Sequence, residues 1–205
     1  METFKIRASR AGVLAQNPKK SADLLAVGSK TYVKQWLKEQ LYGMRKRVST
    51  KYMEKGIMLE DEAIDHAITW CDLPFVIKNE QMYEDEYFTG TPDIITDDTV
   101  VDTKVSWDFE TFPLFEDEIP DSDYFYQLQV YMHLTGRRKA KLVYILLNTP
   151  EYFTFEQIFD YSLLDRLLRC KVYDVEYDAE VIAMLTAKVI NAREYIEQLL
   201  NSINK

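Results

Sequence analysis

Two aspartates and a lysine between Gly90 and Ser106, in GTPDIITDDTVVDTKVS, are spaced so that they can do chemistry together. If Asp97 and Asp98 form the tip of a two-residue hairpin, Thr96 pairs with Thr99, Ile95 with Val100, Ile94 with Val101 and Asp93 with Asp102. The two carboxylates then stand opposite each other at about 5 Å, where like charges are destabilising unless a cation lies between them. Lys104 shares the strand face of Asp102, while Val101, Thr103 and Val105 point into the other layer. Hard oxygen ligands suit Mg²⁺ or Mn²⁺, ions that keep several waters and take further contacts from a substrate phosphate. The chemistry within reach is phosphodiester hydrolysis, with the ion polarising the phosphate and the lysine holding or deprotonating the attacking water. The pattern P-D-x(8)-D-x-K is short, and a surface hairpin with solvated charges has the same letters. Asp-Asp is also a weaker turn pair than Asn-Gly, so a longer loop would shift the register.

Two other segments offer partners. In EKGIMLEDEAIDHA, Glu60 sits in a helical pattern whose apolar members are Ile57, Ala63, Ile64 and Ala67, so its carboxylate can lean over the sheet. In YFYQLQVYMHLTG, Gln127 and Tyr131 are one helical turn apart and present an amide and a phenol to a phosphate, a lysine or a base. His66 and His133 fall on helices outside this constellation and are read as satisfied or solvent-facing side chains.

The elements that must position these residues follow from periodicity and punctuation. Ser29 or Thr31 caps a helix through YVKQWLKEQLYG that Gly43 ends, and a second helical pattern runs from about Val48 to Trp70. From Phe75 to Val105 the runs VIK, QMY, EYF, PDII and TVVDTKV read as a meander of short strands. Beyond an acidic loop come a helix closed by Gly136, a buried strand KLVYILLN and a long amphipathic helix, AEVIAMLTAKVINAREYIEQLL. Near the start, Ser9 is positioned to cap a helix beginning near Arg10, leaving N–H groups for an anion. This order predicts a mixed α/β layer fold with the sheet between helices.

With 205 residues, 47% of them apolar, residues 1–205 are read as a single domain. No apolar run is long enough for a membrane span and METFKIRASR lacks a signal-peptide core, so a cytosolic protein without membrane contact is expected. Cys71 and Cys170 are distant in sequence and show no CxxC spacing, which predicts buried thiols without a disulfide or metal role. A net charge of -9 opposes a protein that coats nucleic acid. The charge is uneven, however. Lys30, Lys34, Lys38, Arg45, Lys46, Arg47, Lys51 and Lys55 crowd one segment and acids crowd Asp108 to Asp123, as in an enzyme that holds phosphates with one region and metal ions with another.

In order along the chain, Gly56-x-x-x-Glu60, Gly90-Thr91-Pro92-Asp93, Asp102-x-Lys104 and Gln127-x-x-x-Tyr131 form a set that resembles the lambda-exonuclease-like, viral-recombinase branch of the PD-(D/E)XK nucleases, the phage alkaline exonucleases. The N-terminal IRASRAG is similar to that branch's opening motif, and the resemblance runs from about Ile6 to Asn148. It implies a restriction-endonuclease-like α/β fold, a mixed central sheet flanked by helices. It implies Asp93, Asp102 and the backbone carbonyl of Thr103 as metal ligands, Lys104 at the nucleophilic water, Glu60 completing the acidic cluster, and Gln127 positioning Lys104 or the phosphate. Ser9, Arg7 and Arg10 would meet a DNA 5′ phosphate; Arg45, Lys46, Arg47 and Tyr131 are the further DNA-binding candidates. The implied activity is 5′-to-3′ degradation of linear duplex DNA in phage-type recombination, in a bacterial host's cytoplasm, by a homo-oligomer working with a single-strand-annealing protein. An endonuclease with the same centre and a catalytically silent DNA-binding subunit are the alternatives. Two departures stand out: Asp102 occupies a position where that branch often has Glu, and an upstream arginine used on the terminal phosphate has no counterpart, leaving Arg7 or Arg10 to substitute.

Overall fold

The computed structural model describes the whole chain except residues 21–22, 47–48, 75, 154–158 and 204–205. Its main sheet has the order β4 (Ile94–Ile95), β5 (Thr99–Ser106), β6 (Lys139–Leu146) and β7 (Cys170–Glu176). β4 is antiparallel to β5, β5 is parallel to β6, and β7 is antiparallel to β6. The predicted hairpin register is the observed one, with Ile94 opposite Val101 and Ile95 opposite Val100. The Asp-Asp turn is tied by its threonines: Thr96 N donates to Thr99 O at 2.9 Å and Thr99 N to Thr96 Oγ1 at 3.0 Å. A smaller sheet places β3 (Phe88–Gly90) between β1 (Ile6–Arg7), parallel to it, and β2 (Tyr83–Glu84), antiparallel to it. The expected meander is therefore only partly present: the VIK run is not a strand, and β7, a partly exposed edge strand with weak alternation, has no counterpart in the sequence pattern.

α1 (Ala11–Ala15), α2 (Val27–Tyr42), α5 (Ser122–Thr135) and α6 (Ala179–Ile203) surround one apolar cluster with Val100, Leu142, Tyr144 and Leu146 of the sheet. On the other face Ala63, Ile64 and Ala67 of α4 (Glu60–Trp70) meet Ile94, Val101, Val143 and Ile145. Each fully buried Leu- or Ile-sized side chain in these layers contributes roughly 1.5–3 kcal/mol. Asp121 caps α5, its Oδ1 accepting from Asp123 N at 2.9 Å, and Gly136 ends that helix at φ 73° as Gly43 ends α2 at φ 61°.

Local punctuation differs from expectation in three places. α2 starts at Val27, so Ser29 lies inside its first turn, buried, with Oγ donating to Val13 O at 2.7 Å; Thr31 bonds back to Val27 O, and neither residue caps. Ser9 lies in a 3₁₀ turn (Ala8–Arg10) and caps nothing, because α1 begins only after that turn and is a five-residue helix. The Val48–Trp70 pattern is broken at Leu59 into α3 (Lys51–Met58), capped by Thr50, and α4; Val48 itself lies outside the described residues.

α3 is inverted relative to its sequence pattern. Ile57 is 71% exposed and Lys55 only 1%. Lys55 Nζ donates to Ser106 O (2.8 Å), Trp107 O (2.7 Å), Leu147 O (2.9 Å) and Thr149 Oγ1 (2.8 Å). Because β5 and β6 are parallel, both release carbonyl groups at this same end, and one ammonium gathers them. Burial pulls the Lys55 pKa down to about 8, with Asp108 opposing, so at neutral pH it is still the cation these acceptors require.

Candidate active site

Asp102 projects from β5 toward α5 and is 2% exposed. Its Oδ1 accepts a hydrogen bond from Gln127 Nε2 at 3.0 Å, and its buried Oδ2 is ion-paired with Lys104 Nζ. Gln127 Nε2 also donates to Tyr131 Oη at 2.9 Å, and the Lys104 ammonium lies 4.7 Å from the centre of the Tyr124 ring. Asp93 approaches from the start of the hairpin, its Oδ2 accepting from Thr103 N and Thr103 Oγ1, both at 2.7 Å. Asn79 straps the turn that carries Asp93: its N–H donates to Asp93 O at 2.7 Å and its Nδ2 to Pro92 O at 2.9 Å.

Burial pushes the Asp102 carboxyl up to about 7; Lys104 pulls it down, while the charges of Asp93 and Glu60 push it further up. Desolvation is also the largest single influence on Lys104, and lowers it, yet the attraction of Asp102 and Asp93 outweighs that and its pKa is raised. Lys104 is thus an ammonium, a donor to anything negative brought beside it.

Glu60 opens α4 and stands close enough to act on Asp102, but its own carboxylate is turned to Lys78, 3.3 Å away, which also binds Asp61 at 2.7 Å. Among the described residues no three acidic, histidine or cysteine side chains converge on one point as they stand. The donor set nevertheless fits a hard divalent cation, because a fully buried carboxylate oxygen sits in the negative field of two further carboxylates. Asp93, Asp102 and, after release from Lys78, Glu60 would hold it.

The sequence-predicted residues divide. Asp93, Asp102, Lys104 and Gln127 are brought together; Gln127, expected to position Lys104 or the phosphate, donates to Asp102, the ion-pair partner of Lys104. Tyr131, expected at the DNA surface, is 5% exposed and packs against Gly90, where an added Cβ would lie 2.7 Å from its ring. Gly90 of the GTPD stretch is thus required by that close approach. Ser9, Arg7 and Arg10 are exposed. Burial raises the pKa of the Tyr32 hydroxyl, and the charges of Arg7, Arg10 and Arg45 lower it. Lys46 is exposed, and Arg47 lies outside the described residues. The rest of the basic segment is dispersed: Lys55 is internal, Lys30 pairs with Asp23 at 2.8 Å, and Lys34 lies 6.0 Å from the Tyr195 ring on α6.

His66 stacks on Trp70 and His133 is bonded between Asp85 and Tyr177, both apart from the constellation. Sequence reading missed Asn79, the Thr103 side chain and Tyr124. Only Tyr124 carried a signal, since it lies three residues before Gln127 on the same helix face.

The mixed α/β fold that brings Asp93, Asp102 and Lys104 together is the fold of solved exonucleases. Two solved proteins share it over nearly their whole length. A phage-related exonuclease from Haemophilus somnus 129PT is 28% identical, with a TM-score of 0.88 over 98% of this chain and 97% of that one. An alkaline exonuclease from Laribacter hongkongensis is 19% identical, with a TM-score of 0.72 over 98% of this chain and 93% of that one, and matches equally in its complex with dAMP. No family model and no curated protein matches the sequence. The exonuclease neighbours support a nuclease enzyme. Among the described residues, no helix is long and apolar enough to cross a membrane.

Proposed function

We propose that the protein is a PD-(D/E)XK deoxyribonuclease that uses Mg²⁺ or Mn²⁺ to degrade linear duplex DNA from its 5′ ends. The carrying observation is Asp102, buried between Gln127 and Lys104 with Asp93 and Glu60 in its field. Asp93, Asp102, Glu60 and the Thr103 carbonyl would hold the ion, which when bound polarises the phosphate and acidifies a water. Lys104, kept cationic by the carboxylates, orients that water or the phosphate through N–H donation. Gln127 keeps Asp102 aimed, and Thr103 and Asn79 keep Asp93 in place. Exposed Ser9 and Arg10 lie on the turn packed beside α5, with exposed Arg7 at the end of β1 just before it, a setting suited to a terminal phosphate. Arg45, Lys46 and Arg47 would bind backbone phosphates, which carry affinity without sequence preference.

The test is incubation with end-labelled linear duplex and with covalently closed circles, each with Mg²⁺ and with EDTA. Mg²⁺-dependent loss of the linear substrate alone is the expected result. Cutting of closed circles would replace the proposal with an endonuclease, and no hydrolysis of either substrate would leave a DNA-binding subunit.

A further inference from the structure

The two cysteines, remote in sequence, meet in the fold. Cys71 closes the last turn of α4, its N–H donating to Ala67 O at 3.0 Å, and Cys170 opens β7 opposite Ile145. Both side chains pack against the apolar cluster between α4 and the sheet, near enough for each thiol to act on the other. The residues beside them are joined too: the Arg169 guanidinium lies 5.1 Å from the Trp70 ring centre, and Arg169 is bonded to Leu146 O through its side chain and to Leu146 N through its carbonyl. The two backbone segments are thus held against each other independently of the sulfurs. Both cysteines are partly exposed residues, and neither belongs to the carboxylate site.

We propose that Cys71 and Cys170 form an oxidisable dithiol, a modification site that closes reversibly into an intramolecular disulfide when the protein meets a peroxide. In the first step the Cys71 thiolate attacks a peroxide oxygen; an S–O bond forms, the O–O bond breaks, and hydroxide leaves. In the second step the Cys170 sulfur attacks Cys71; the S–S bond forms, the S–O bond breaks, and water departs with the Cys170 proton. Overall two thiols and one hydrogen peroxide give one disulfide and two waters.

The order of attack follows from the surroundings. The contact between the thiols is the main influence lowering the Cys71 pKa, with Lys141 and Arg166 assisting and burial and Asp72 opposing, and the same contact raises that of Cys170. The inference is independent of the nuclease proposal.

The reduced full-length protein, treated with hydrogen peroxide, should become lighter by two hydrogen atoms in intact mass. Its iodoacetamide-reactive thiols should fall from two to none, and dithiothreitol should restore both. Cys170→Ser should instead give a Cys71 sulfenic acid that dimedone traps, while Cys71→Ser should leave Cys170 alkylatable at the same dose. Retention of both reactive thiols, a mass gain from oxygen alone, or a disulfide formed only between chains would overturn the proposal. A Cys170 oxidised in Cys71→Ser as readily as Cys71 is in Cys170→Ser would overturn the assigned order of attack.

Discussion

Gln127 on α5 donates its amide to Asp102 on β5 at 3.0 Å, so the helix that crosses between two parallel strands also aims the central carboxylate. Gln127→Leu removes that donor and leaves a buried oxygen unsatisfied. Hydrolysis should fall about 10- to 100-fold and the midpoint of a Mg²⁺ titration should move to higher concentration. An unchanged rate and midpoint would take Gln127 out of the site.

Asp93→Ala, Asp102→Ala and Lys104→Ala should each reduce hydrolysis by on the order of a thousandfold or more while the fold persists. One of them retaining near-wild-type turnover would mean that the centre lies elsewhere.

Asp102 also predicts a pH dependence in the metal-free protein. Burial raises its folded pKa to about 7 from 3.8, so the folded state binds the proton more tightly than the unfolded chain. Stability from this group is therefore fully present below the unfolded value and is lost as pH rises through about 7, by at most about 4 kcal/mol. In EDTA, Asp102→Asn should gain more stability at about pH 8 than at about pH 5, less whatever Lys104 loses with its partner. Equal gains in denaturant titrations at the two pH values would contradict the burial account.

Lys55→Met keeps the length of the side chain but leaves the carbonyls of Ser106, Trp107 and Leu147 without their common donor. A loss of about 3–5 kcal/mol in unfolding free energy is expected, with no change in the salt dependence of DNA binding at temperatures where the variant stays folded. Normal stability together with weakened binding would return Lys55 to the phosphate-contacting role its sequence neighbourhood implies.

Neutralising Arg45, Lys46 and Arg47 together should weaken DNA binding and flatten its log–log salt slope by about 0.9 for each phosphate no longer neutralised, without altering sequence preference. Duplex with 5′-phosphate ends should be degraded faster than duplex with 5′-hydroxyl ends, and Ser9→Ala with Arg10→Ala should erase that difference without stopping cleavage. Equal wild-type rates on the two ends would sink end recognition by this turn.

What the sequence by itself determined is local and periodic. The hairpin register followed from alternation and a two-residue turn, and that register alone put Asp102 and Lys104 on one face of β5 and Val101 on the other. Gly43 and Gly136 marked helix ends because a left-handed backbone costs glycine least. Tertiary structure alone decided the rest. A lysine in a basic run became an internal donor because two parallel strands end at one place. The partner of Asp102, the strap from Asn79 and the meeting of Cys71 with Cys170 each join groups far apart in the chain. No periodicity records such contacts, since they depend on how whole elements pack against one another, and the burial that packing creates is what moves Asp102, Lys104 and Lys55 away from their ordinary pKa values.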